Sequence, residues 1–257
     1  MSAPSATRPP ARARRTARVA CAAGGVLLVA LTACGALPPL PDPVPTTLVG
    51  PVDEAPDAPT GAALSPDGFD AAQRMSVRIR NVGCGALSTG SGFAIDDHTL
   101  VTNRHVVADS ATLEISTYDG RDVRAQTAST TELADLALVR TVDPLPASAG
   151  LAAADPMPGT AVTVVGYPRG SRLTITTGSV IGATTDPLHA NLGEVLVTDA
   201  RVDLGSSGSP VLDDAGHVVG VVYAKGEDGA SFVVPVSTLR AMLDDESQVE
   251  PAPTCTG

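Results

Sequence analysis

The sequence is poor in rings: Phe, Trp and Tyr make up 2% of it and Trp is absent. An interior without large aromatics must be filled by Val, Ala, Leu and Ile, and Val favours half-buried strands. Cysteine is scarce, four in 257 residues, which excludes a disulfide-dense miniature scaffold. The four His are scattered, so no metal site and no cofactor is expected. Positive charge is also short. Against 28 acidic residues stand 17 basic ones, for a formal charge of −11. Such a surface repels nucleic acid and bare anionic lipid; its ordinary meaning is solubility.

The basic residues that exist are unevenly placed. Arg8, Arg12, Arg14, Arg15 and Arg18 fall in the first 18 residues with no acid among them, and an apolar run from Val19 to Ala33 follows. That run is short for a membrane span and suits the apolar region of an export signal. It ends in Leu31-Thr32-Ala33-Cys34 followed by Gly35, which resembles a bacterial lipobox. There the thiol of Cys34 would accept a diacylglycerol and Cys34 would become the new N-terminus. An ordinary secretory signal with an incidental Cys, or a retained signal anchor, are the competing readings. Loss of residues 1–33 takes the formal charge from −11 to −16, because five Arg leave and no acid does. The expectation is an exported lipoprotein of the cell membrane, facing the periplasm or cell wall. Residues 34–66 are proline-rich and form a lipid-anchored linker of extended geometry.

Residues 67–257 remain as one folded domain, long enough to bury a core. Short Val-rich runs recur through it, split by Gly, Pro, Asn and Asp, as in a β-sandwich or barrel. Strands are expected at 75–81, 88–95, 99–102, 111–117, 121–129 and 136–141. A Pro- and Ala-rich connector at 143–159 precedes a second set at 160–166, 172–182, 194–202, 209–213, 217–224 and 231–235. Six strands, a connector and six strands predict an all-β protein of two similar six-stranded antiparallel barrels. The segment 236–245 places Val236, Leu239 and Leu243 on one helical face and predicts a short C-terminal helix. With Cys21 removed in the signal and Cys34 lipidated, Cys84 and Cys255 are left to form a disulfide outside the cytoplasm.

Three strings carry candidate chemistry: GSGFAIDDHTLVTNRHVV with His105, ELADLALVR with Asp135, and DLGSSGSPV with Ser207. Singly each has a plain alternative: a capping or core His, a turn Asp, a Gly-rich loop. Together and in this order they resemble the chymotrypsin-like (trypsin-like) serine proteases, and among these the bacterial Deg and actinobacterial periplasmic kind. TNRHVV is similar to that family's His motif, DLALV to its Asp motif and GSSGSP to its Ser motif. The resemblance covers about residues 74–240. It implies two six-stranded barrels with a site in the cleft between them. It also implies a serine endopeptidase acting on proteins or peptides: Ser207 as nucleophile, His105 as general base and acid, Asp135 orienting the imidazole. The N–H groups of Gly205 and Ser207 would form the oxyanion hole. Cys84 and Cys255 resemble a cysteine pair in actinobacterial members.

Departures also matter. Digestive relatives carry Asp just before the nucleophile, for pairing with a freshly cut N-terminus; Ser206 stands there in this chain, so activity without such cutting is expected. Arg201 lies six residues before Ser207, at the base of the family's specificity pocket, with the segment 201–204 and Val222, Tyr223, Ala224 and Lys225 along its wall. Arg201 there would favour acidic side chains; a plain solvent-exposed Arg is the simpler reading. The alternative from another class is a catalytically idle protease fold that binds partners at the cell surface.

Overall fold

The structure, a computed structural model, describes residues 70–131, 134–188, 193–226, 229–245 and 249–255. The proposed signal, Cys34 and the linker lie outside the described residues. Helix α1 (Ala71–Met75) opens the domain. Its start is capped reciprocally: the Asp70 side chain accepts from the Gln73 N–H and the Gln73 side chain from the Asp70 N–H, which satisfies two otherwise orphaned donors.

The first six strands are β1 (Ser76–Gly83), β2 (Leu87–Asp96), β3 (Thr99–Asn103), β4 (Ser110–Thr117), β5 (Asp122–Thr131) and β6 (Leu136–Thr141). A one-turn helix α2 (Arg104–Val107) sits between β3 and β4. Strand β1 pairs with both β2 and β4, β3 pairs with β6, and β5 pairs with β4 and β6, so the sheet closes into a barrel ordered β1-β2-β3-β6-β5-β4. The second set is β7 (Ala161–Gly166), β8 (Thr174–Thr185), β9 (Glu194–Thr198), β10 (Pro210–Leu212), β11 (Val218–Lys225) and β12 (Ser231–Pro235). It closes in the order β7-β8-β9-β12-β11-β10, the same order as the first. Each barrel thus contains a Greek key, its fourth strand returning to lie beside its first. All twelve strands fall where the sequence predicts strands.

Three cores result. Val77, Ile79, Leu100, Val107, Ile115 and Val139 fill the first barrel. Val162, Val164, Val180, Val211, Val222 and Val233 fill the second. A third cluster draws on both barrels, with Phe93, Val101 and Leu136 from one and Val165, Val221 and Tyr223 from the other. That seam is what holds the two halves together. Each Val, Leu, Ile or Phe so buried contributes about 1.5–3 kcal/mol.

After β12, helix α3 (Val236–Asp244) buries Val236, Leu239 and Met242. Met242 replaces the expected Leu243 as the deepest residue of the last turn; Leu243 packs against the same cluster but only partly, at the open end of the helix. The predicted strand 194–202 stops at Thr198, where Asp199 turns its carboxylate onto the Ser179 N–H at 2.6 Å and draws the chain off the sheet. A two-residue strand β13 (Glu250–Pro251) adds to β5, returning the C-terminal tail to the first barrel. Cys255 follows it and is disulfide-bonded to Cys84, with Cα atoms 5.4 Å apart. No helix among the described residues is long and apolar enough to cross a membrane.

Candidate active site

His105 and Asp135 meet because two strands pair. β3 ends at Asn103, which lies opposite Leu136, the first residue of β6. His105 is two residues beyond one strand and Asp135 one residue before the other. The His105 ring Nδ1 lies 2.6 Å from Asp135 Oδ2, and the His105 backbone N–H donates to Asp135 Oδ1 at 3.1 Å. The Asp135 backbone is fixed as well. Its carbonyl accepts from the Arg104 N–H at 3.0 Å and from the Asn103 side-chain amide at 2.9 Å. Asp135 adopts φ 47°, a left-handed conformation that Asp tolerates better than most residues, and this turns the carboxylate back toward α2. The imidazole is half exposed while the carboxylate is nearly covered. A covered carboxylate on Nδ1 keeps the proton of the neutral ring there and leaves its lone pair on Nε2.

Ser207 comes from the second barrel, on the connection between β9 and β10. Gly205 and Gly208 flank it at φ 89° and 86°, values that only glycine adopts without strain. Close approach demands glycine there too. A Cβ on Gly208 would fall 2.0 Å from the Ser91 carbonyl oxygen and one on Gly205 would fall 2.7 Å from the Arg169 nitrogen. The loop is therefore pressed against β2 of the first barrel. The Ser91 N–H donates to the Ser207 carbonyl at 2.7 Å, and the Ser91 hydroxyl donates to the Gly205 carbonyl at 2.9 Å while accepting from the Tyr167 N–H. Thr102, three residues before His105, donates its hydroxyl to the Ser91 carbonyl at 2.6 Å. One buried serine thus links the His-bearing strand to the Ser-bearing loop. Sequence reasoning missed Ser91, which sits among Ser88, Thr89, Gly90 and Gly92 in the polar half of β2, where no local pattern singles it out.

The Ser207 hydroxyl donates to the Tyr223 carbonyl at 3.4 Å rather than to His105. Ser206 is buried, and its hydroxyl accepts from the Asp203 N–H at 3.2 Å, an internal tie within the loop. Ser209 is also buried, against Gly166, which leaves room for its side chain.

Beside the loop opens a cavity of about 760 Å³ lined by Arg201, Asp203, Ser206, Lys225, Gly229 and Ala230, among others. Val222, Tyr223 and Ala224 do not line it. Strand alternation turns Val222 into the core of the second barrel, and Tyr223 is buried with its hydroxyl on Asp186 at 2.6 Å. Burial first, and then the Asp186 carboxylate, push the Tyr223 phenol well above its usual range. Burial likewise pushes Tyr167 up to about 12. The Asp203 carboxyl is held below its usual range by the Leu204 N–H and the Arg169 guanidinium.

Two barrels of one strand order, with their polar groups gathered where they meet, define the class: a chymotrypsin-like double barrel. The model of the trypsin-like peptidase domain matches residues 90–221, and the chain belongs to that family. Among curated proteins it is similar to "Serine protease HTRA2, mitochondrial" of Bos taurus, 35% identical over 164 residues, covering 61% of this chain and 36% of the relative. It is also similar to "Probable periplasmic serine endoprotease DegP-like" of Hahella chejuensis, 32% identical over 158 residues, 59% of this chain and 34% of the relative. The chain spans about a third of the length of these relatives. Among solved structures, the Rv3671c protease of M. tuberculosis in its active form aligns at TM-score 0.64 and 28% identity, covering 73% of this chain and 86% of that one.

Proposed function

We propose that the chain is a serine endopeptidase that cleaves proteins or peptides through an acyl-enzyme, outside the plasma membrane of a bacterium. The observation that carries this reading is the 2.6 Å contact of His105 Nδ1 with the covered Asp135 carboxylate, at the seam where the Ser207 loop docks. In this reading His105 Nε2 takes the Ser207 proton as the hydroxyl attacks the scissile carbonyl, and then returns it to the leaving amine. Asp135 stabilises the imidazolium. The N–H groups of Gly205 and Ser207 receive the oxyanion; losing one such donor typically costs about 3–4 kcal/mol of barrier. The cavity beside Ser206 receives the side chain before the scissile bond. With Ser206 tied inside its own loop, no cut N-terminus is needed to hold the site.

Export and anchoring belong to the same proposal. Residues 1–33 direct export, and lipid on Cys34 holds the domain at the membrane through the 34–66 linker. Two or three acyl chains suffice for stable anchoring.

A fluorophosphonate probe tests the chemistry: it labels Ser207 in the full chain and nothing in Ser207→Ala. A peptide-library profile then separates peptide-bond cleavage from mere esterase activity. If neither label nor cleavage appears, the idle binding protein is the better reading. Fractionation of Cys34→Ala tests the anchor, since the variant should leave the membrane fraction.

A further inference from the structure

The ion pair between Arg169 and Asp203 stands apart from the His–Asp contact, with Asp203 on the wall of the cavity beside the Ser207 loop and Arg169 outside that wall. Arg169 is the central residue of a 3-10 turn, Pro168–Gly170, that connects β7 to β8. It adopts φ 56°, ψ 24°, a left-handed conformation that favours glycine. A glycine would sit there without strain, so an arginine in that place points to its side chain. The guanidinium reaches across to the Ser207 loop. Its Nε and Nη2 lie 2.8 and 2.7 Å from Asp203 Oδ2. The other oxygen, Oδ1, accepts the Leu204 N–H at 3.0 Å and lies 3.6 Å from Lys225 Nζ at the end of β11. One carboxylate therefore ties together the β7–β8 turn, the Ser207 loop and β11.

The backbone shows what that tie holds. The Arg169 N–H donates to the Leu204 carbonyl at 2.5 Å. The Leu204–Gly205 peptide is trans, so its C=O and N–H point to opposite sides. With the carbonyl fastened to the turn, the Gly205 N–H faces away from the turn. Rotating this peptide would break the Arg169 bond and remove the Gly205 donor from the site. The far side of Gly205 is fixed by the Ser91 hydroxyl on its carbonyl, which leaves the 204–205 peptide as the part that the turn controls.

We propose that Arg169 and Asp203 are positioning residues for catalysis: their ion pair clamps the Pro168–Gly170 turn onto the Ser207 loop and so aims the Gly205 N–H at the developing oxyanion. The inference rests on the reading of Ser207 as nucleophile and Gly205 as oxyanion donor. It also means that the Asp203 carboxylate is engaged by Arg169 and Lys225 and is not a receptor for a basic substrate side chain.

The experiment uses the full chain and the best-cleaved peptide of the library profile, with a peptidyl boronate of the same sequence as a tetrahedral analogue. Arg169→Gly and Asp203→Asn should each lower kcat about fivefold, the scale of an exposed ion pair; in Arg169→Gly, whose residue does not line the cavity, KM should stay within about twofold. Boronate affinity should fall by the same factor as kcat. Arg169→Lys should restore much of it. Arg169→Gly should melt no lower than the parent, since it also relieves the left-handed strain. Salt should lower kcat of the parent toward that of the variants and leave the variants unchanged. Unchanged kcat and boronate affinity in both variants would overturn the clamp. So would losses that track a fall in melting temperature, or that appear in KM alone. Activity retained in Ser207→Ala would instead overturn the proposed function, a separate failure.

Discussion

The two barrels share a strand order and differ in how they hold their polar residues. In the first, His105 and Asp135 sit at the ends of paired strands, so one register fixes their contact. In the second, Ser207 lies on a connection outside any strand, held by tight turns and by Ser91 of the other barrel. The interiors differ in the same sense. The first barrel is filled by Ile79, Leu100 and Ile115 as well as Val. Eight of the ten buried residues in the core of the second are Val, and one of them, Val222, accepts from the Gly208 N–H at 2.8 Å and donates to the Ser209 carbonyl at 3.0 Å, so this core reaches the Ser207 loop through backbone bonds. One barrel thus presents groups fixed by strand register, and the other presents a loop whose position is set at the seam.

Removing the group on the loop should have the largest effect. Ser207→Ala should lower kcat by about 10⁶-fold, the scale for loss of a serine nucleophile. Asp135→Asn keeps the shape but offers the imidazole the wrong partner, and should lower kcat by about 10⁴-fold. Steady-state kinetics on one peptide, with circular dichroism to confirm folding, checks both. If Asp135→Asn were nearly silent, the His105–Asp135 contact would have no part in the chemistry, and His105 would act without a fixed partner.

The disulfide tests whether the first barrel is the one that depends on the tail. Cys84 and Cys255 are 171 residues apart in sequence, and closing a loop of that size contributes up to about 5 kcal/mol in the chain-entropy model. Cys84→Ser should therefore lower the melting temperature by up to about 10–20 °C for a domain of this size. Hydrogen exchange should localise the loss. Amides of β5 and β13 should lose protection before those of β8 and β9. Equal loss in both barrels would show that the tail supports the whole seam.

The legibility of this chain followed the same division. Strands were readable because Val-rich runs end at Gly, Pro, Asn and Asp, which punctuate both barrels alike. His105, Asp135 and Ser207 were readable as strings because each sits in a short motif whose order is informative. The ties between motifs were not. Ser91 and Arg169 act on residues 114 and 35 positions away, and nothing in their immediate neighbours signals that reach. Arg169 resembles any exposed Arg until its backbone angle is known. Strand β13 was missed because two residues ending in Pro carry no periodicity, and Met242 because a nine-residue helix leaves little room to phase its buried face. Val222, Tyr223 and Ala224 were placed by resemblance on a pocket wall, whereas alternation along β11 sends Val222 inward and burial takes Tyr223 to Asp186.

The smallest effect concerns the joint between the barrels. Asp143 opens the connector and accepts from the Arg124 backbone N–H at 3.0 Å and from its guanidinium at 2.8 and 3.0 Å. Those bonds, with the Arg124 charge, hold the Asp143 carboxyl down at about 2, against an ordinary value of 3.8. A folded-state pKa below the unfolded one stabilises the fold when the group is ionised. The contribution is complete above about pH 4 and is lost as the pH falls through 3.8 to about 2. The pair is exposed, so the effect is small and screened by salt. Asp143→Asn should thus cost little at pH 7, and the difference in melting temperature from the parent should shrink further between pH 4 and pH 2. A difference that stayed constant across that range would show that the Asp143 contact holds the connector by shape and hydrogen bonding alone. The charge would then have no part in joining β5 of the first barrel to the chain that leads into the second.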